Sequence, residues 1–162
     1  MGCDIHPYFE ARFPDGTWQM IEEVDCGRSY DWFGLAAGVR RNFEDSLEPR
    51  GMPHSPSWAW EYICEKWGPD FHSKSWLTPS ELDGVNRRWQ RRINDDCEDH
   101  DLEIEEVRDF IVPLKPDHII TGILIPDDRG MLKRIPFAGT LVEFVGSDDI
   151  EDKVRLVFAF DN

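Results

Sequence analysis

The chain has 162 residues, a formal charge of −15 and 40% apolar residues. That is one domain's length, and a chain this size buries about 70% of its unfolded surface. So acidic a chain repels nucleic acid and anionic membranes at long range, which disfavours nonspecific DNA or RNA binding. It leaves room for a small anion in a locally basic pocket.

Residues 3–13 alternate in type. Read as a strand, they put Asp4, His6, Tyr8 and Glu10 on one face and Cys3, Ile5, Pro7 and Phe9 on the other. Pro14-Asp-Gly16 supplies turn chemistry, and residues 17–21 return as a second strand. Ser29 or Asp31 caps a helix over 32–41, in which Gly34 and Gly38 share a face. Each glycine weakens a helix by about 1 kcal/mol relative to Ala, so close approach to a neighbour is expected. Residues 42–57 carry three prolines and one glycine and read as a loop.

Residues 58–67 form a short helix with Trp60, Ile63, Cys64 and Trp67 as its apolar stripe. Residues 68–77 read as irregular. Thr78-Pro-Ser-Glu81 is a capping box with Pro at the first helical position, and it opens a helix to about 93. Residues 94–101 are an acidic run without the glycine of a calcium-binding loop, so they read as a solvated loop. A helix follows at 102–111, then strands at 118–125 and 139–145 around a turn at 127–130. Residues 154–160 are continuously apolar, apart from Arg155, and suit a central strand. Strands cluster at both ends with helices between them. The fold class is therefore α+β, a mainly antiparallel sheet of N- and C-terminal strands with the middle helices packed on it, in a single domain over 1–162.

Cys3, Cys26, Cys64 and Cys97 form no C-x-x-C pair and match no zinc-finger spacing. No signal peptide and no membrane-spanning run is recognisable, so a reduced cytoplasmic protein without membrane contact is expected. Walker A, dinucleotide-fold and G-x-S-x-G patterns are missing. What remains is a set of constellations. Asp4-x-His6 presents a carboxylate and an imidazole about 7 Å apart along a strand, suited to two ligands of one metal or to a His with its orienting carboxylate. His72, Ser73, Lys74 and Ser75 precede a capped helix, where backbone N–H groups gather an anion. Arg28 and Arg50 lie in Gly/Pro-controlled loops and can grip phosphate in two-pronged fashion, or pair with Asp and Glu. Seven Trp is a high count for this length, and Trp outside a regular core lines pockets.

Met1-Gly-Cys-Asp-Ile-His6, the segment 28–40, Glu48-Pro-Arg-Gly51, His72-Ser-Lys-Ser-Trp-Leu-Thr78 and the closing 154–162 together resemble a family of small uncharacterised proteins encoded by bacteriophages and prophages. The stretch 90–145 falls outside that resemblance and reads as an elaboration of this member. The resemblance implies a phage origin and a host-cytoplasm location. It brings no established activity. Its recognisable residues include Asp4, His6, Arg28, Tyr30, Arg50, His72, Ser73, Ser75, Trp76, Asp161 and Asn162. If the first and last strands are neighbours, both termini wall one pocket.

The resulting expectation is a pocket for a phosphate-bearing small molecule, foremost a nucleotide, used in counter-defence. Arg28, Arg50 and Lys74 would meet phosphate, and Trp76 or Tyr30 would stack on a base. One alternative is a metal-dependent phosphoester hydrolase, in which Asp4, His6, His72 and Asp161 hold a divalent metal. Another is an acidic DNA mimic that occupies a host protein through 94–106 and 148–152.

Overall fold

The computed structural model describes residues 2–100 and 108–162. The chain runs β1 (Asp4–Arg12), β2 (Trp18–Glu23), α1 (Tyr30–Ala37), α2 (Trp58–Trp67), a 3-10 turn (Gly68–Asp70), β3 (His72–Leu77), α3 (Pro79–Asp99), β4 (Ile119–Pro126), β5 (Leu132–Thr140), α4 (Leu141–Val145) and β6 (Val154–Asp161). The six strands form one antiparallel sheet in the order β3-β6-β1-β2-β4-β5. This is the expected α+β architecture. The first and last strands are neighbours, with Asp4 opposite Asp161 and Ala11 opposite Val154.

The sheet has a heavily and a lightly covered face. Ile5, Phe9, Leu156, Phe158 and Phe160 point to the face packed by α1, α3 and α4. Tyr8, Met20, Val157 and Ala159 point to the other, where α2 lays Ala59, Trp60 and Ile63. The alternation of β1 thus has apolar consequences on both sides.

Local chemistry explains the helices. Ser29 caps α1, and Gly38 ends it in the left-handed region at φ 62°. Gly34 is needed for close approach, because a Cβ there would lie 2.7 Å from the Arg41 carbonyl oxygen. A buried relay joins α1 to α3: Trp32 Nε1 donates to Asn86 Oδ1 at 3.0 Å, and Asn86 Nδ2 donates to the Ile111 carbonyl at 2.9 Å.

Three expectations change. The strand expected at 139–145 is strand only through Thr140 and helix from Leu141. β5 ends at Thr140, whose hydroxyl and Glu143 form a second capping box, and Gly146 closes α4 in the left-handed region. Residues 72–77 are an edge strand, hidden in the sequence by a bulge at Ser73, which has φ 50°. The acidic run 94–99 continues α3 and is not a loop. Most of the helix expected at 102–111 lies outside the described residues, and 108–111 are not helical.

One buried ion pair ties the adjacent interior strands β1 and β6 to the long loop. Glu10 is fully buried and Arg155 is 6% exposed. Glu10 Oε2 accepts from Arg155 Nε at 2.6 Å, and Oε1 accepts from the backbone of Ser57, the α2 cap, at 2.9 Å. Arg155 also donates to the carbonyls of His54 at 2.9 Å and Ser55 at 3.1 Å, and lies 3.8 Å over the Trp18 ring. Replacing Arg155 by Met strands a carboxylate and two carbonyls, and should lower unfolding free energy in urea by about 3–5 kcal/mol. The Glu10→Gln, Arg155→Met double variant should lose clearly less than the single, because no buried charge remains. Equal losses would show that charge pairing is not what matters there.

Candidate functional site

The termini converge at one end of the sheet. Asp161 Oδ1 accepts the Asp4 backbone N–H at 3.1 Å, and its Oδ2 lies 3.1 Å from His6 Nε2. The His6 ring sits 4.9 Å from Trp67 and 5.4 Å from Phe71. Arg28 grips Asp4 through Nε at 2.9 Å and Nη2 at 2.5 Å. Arg40 adds bonds to the Gly2 carbonyl at 3.3 Å and Asn162 Oδ1 at 3.0 Å.

His72 does not join them. It pairs with Phe160 and stacks on that ring, on the opposite face of the sheet from His6. Its Nδ1 contacts Ser73 Oγ at 3.0 Å, while its buried Nε2 has no partner. Asp4, His6 and Asp161 therefore share a face and His72 does not. Among the described residues, no three His, Cys, Asp or Glu side chains are arranged to hold a metal ion.

The other candidates separate as well. Tyr30 opens α1 and packs against Phe33. Arg50 pairs with Glu81 in two-pronged fashion at 2.9 and 2.5 Å, and lies 4.6 Å over Trp76. The Arg50 backbone donates to Ser75 Oγ at 3.2 Å. Lys74 Nζ donates to the Phe71 carbonyl at 2.5 Å. Arg28, Arg50 and Lys74, the three expected phosphate partners, are each engaged within the chain.

A cavity of about 530 Å³ lies at the other end of the α2 face, with Arg12, Trp18, His54, Trp76, Thr78 and Arg155 on its wall. Only Trp76 of these belongs to the sequence-derived set. Trp18 carried a signal, an indole on the return strand of a hairpin, but Arg12 carried none. The hollow exists because β1, β6 and the loop before α2 meet there, a long-range arrangement.

Burial raises the thiols, to about 11 at Cys26, where Asp25 adds to the effect, and to about 12 at Cys64, despite Lys74. Neither is a ready nucleophile at neutral pH. Iodoacetamide at pH 8 should alkylate Cys26 about a hundredfold more slowly in the native protein than in denaturant, and Cys64 more slowly still, read by peptide mass spectrometry. Burial raises the Glu81 carboxyl, but Arg50 and Thr78 outweigh it and hold the pKa below the ordinary 4.5. A carboxyl depressed in the folded state contributes stability above its unfolded value and loses it as pH falls through the folded value. Glu81→Gln should therefore flatten the loss of stability seen on acidification below pH 4.5. An unchanged acid limb would place the acid sensitivity elsewhere.

No protein-family model, curated protein or solved structure matches the chain.

Proposed function

We propose that the protein binds a small phosphate-bearing ligand, a nucleoside monophosphate, in the cavity walled by Trp18 and Trp76. The observation that carries this is the pairing of two indoles with one uncommitted guanidinium around a hollow of about 530 Å³, a volume within the range of small-ligand pockets. Each indole already has a guanidinium on one side, Arg155 at 3.8 Å and Arg50 at 4.6 Å. A base would stack on the other side, worth about 1–3 kcal/mol. Arg12 lines the same hollow, and its guanidinium has no hydrogen-bond or ion-pair partner among the described residues. It takes the phosphate role that Arg28, Arg50 and Lys74 cannot fill while engaged.

Glu151 and Asp152 also line the cavity. Ser80 holds Glu151 through its backbone N–H at 3.0 Å and its hydroxyl, and Lys153 lies 3.7 Å from Asp152. Their charge limits the ligand to a single phosphate. Given the phage resemblance, the setting would be host cytoplasm and the use capture of a nucleotide in a defence response. No helix among the described residues is long and apolar enough to cross a membrane.

Calorimetry with nucleosides and their mono- and triphosphates tests this. The monophosphate should bind tightest. Trp76→Ala should weaken it about tenfold, and Arg12→Gln should erase its advantage over the nucleoside. Absence of binding at millimolar nucleotide, or affinity indifferent to Trp18, Trp76 and Arg12, would sink the proposal.

A further inference from the structure

We infer that the opposite end of the α2 face carries a second binding site, for a small organic cation of the alkylammonium class. This does not rest on the nucleotide reading.

Two adjoining hollows, of about 460 and 310 Å³, share Tyr8 and Glu23. Tyr62 and Trp67 of α2 line one, and Asp25 lines the other. Tyr8, Tyr62 and Trp67 thus line the same hollow as Glu23. The Trp67 ring is stacked on Phe71 at 5.5 Å and has the His6 ring 4.9 Å away, yet the residue stays 38% exposed. Such surfaces attract cations through the negative face of the ring. Burial and the Glu23 charge push the Tyr8 hydroxyl up to about 12, so that wall stays a neutral phenol.

The charges agree with the aromatic lining. Glu23 and Asp25 have no ion-pair or side-chain hydrogen-bond partner among the described residues. In a chain this acidic, whose net charge is −15, cations are drawn in at long range. Lys66 also lines the smaller hollow, whose one carboxylate is Glu23, but its Nζ is turned to the Gly130 carbonyl at 2.8 Å, and Asp25 lines the adjoining hollow. Trp67 ends α2, so the negative end of that helix dipole lies at this site.

The lining also decides between cations. A divalent metal needs converging oxygen or imidazole ligands, and no such group of three exists among the described residues. Indole and phenol faces backed by a carboxylate suit an alkylated ammonium instead.

Choline and its neutral isostere 3,3-dimethylbutan-1-ol separate charge from shape. In calorimetry, with indole N–H shifts followed by NMR, choline should bind and the alcohol should bind about tenfold more weakly or not at all. Glu23→Gln and Trp67→Leu should each weaken choline about fivefold, whereas Trp76→Ala, in the distant cavity, should leave it unchanged. Glu23 is exposed, so its variant keeps the fold even if Trp67→Leu does not. Equal binding of choline and the alcohol would overturn the inference. So would choline affinity indifferent to Glu23, or no choline binding at about 100 mM, well beyond a useful affinity.

Discussion

The Glu10–Arg155 pair is the constraint on which the lightly covered face depends. They come from the adjacent interior strands β1 and β6, and both are closed to water. A buried ion pair gains little net stability unless its remaining lone pairs and protons are satisfied. Here they are: the second carboxylate oxygen holds the Ser57 N–H, and the guanidinium holds two loop carbonyls. The pair therefore does more than join β1 to β6. It sets where the proline-rich loop lands and where α2 begins.

From that starting point, geometry leaves hollows at both ends. The ten residues of α2 span about 15 Å, while the nine residues of β1 span about 30 Å. One short helix cannot cover the strand beneath it. On the other face α1, α3 and α4 share the work and the core is continuous. The difference in coverage explains why the hollows lined by Trp18 and by Trp67 lie on the α2 side, one against the loop that Arg155 anchors and one against the last turn of α2.

The elements set by local chemistry were legible in the sequence. The β1–β2 hairpin, the Ser29 cap, the Thr78 capping box and the apolar β6 all rest on neighbours a few residues apart. β3 was not legible, because the bulge at Ser73 breaks the alternation that marks a strand. α4 had its signal in Thr140, Glu143 and Gly146, but an apolar run of that length is ambiguous between helix and strand. The extension of α3 through Asp99 runs against the helix dipole, which disfavours acidic residues at a C-terminus. For the site, the meeting of Asp4, His6 and Asp161 follows once β1 and β6 are neighbours. The separation of His72 does not, since the face it takes depends on that bulge. Nor can a sequence show that Arg28, Arg50 and Lys74 have found partners inside the chain.

That last point governs how an acidic protein keeps any cation available. With 33 acidic and 18 basic side chains, most arginines meet a carboxylate nearby. Arg28 finds Asp4, Arg41 finds Asp31, Arg50 finds Glu81, and Arg92 finds Asp45. Arg12 escapes because it lies at the end of β1 beside the cavity of Trp18 and Trp76, where Glu151 is occupied by Ser80. At the opposite end of α2 the surplus acid shows itself, with Glu23 and Asp25 unmatched among the described residues. The two ends of one helix thus carry opposite uncommitted charges. The free guanidinium lies towards the end where the Ser57 cap begins the helix, and the free carboxylates lie beside the end where Trp67 closes it. Glu10 does not draw Arg12 to the sheet, because both of its carboxylate oxygens are already taken, one by Arg155 and one by the Ser57 N–H.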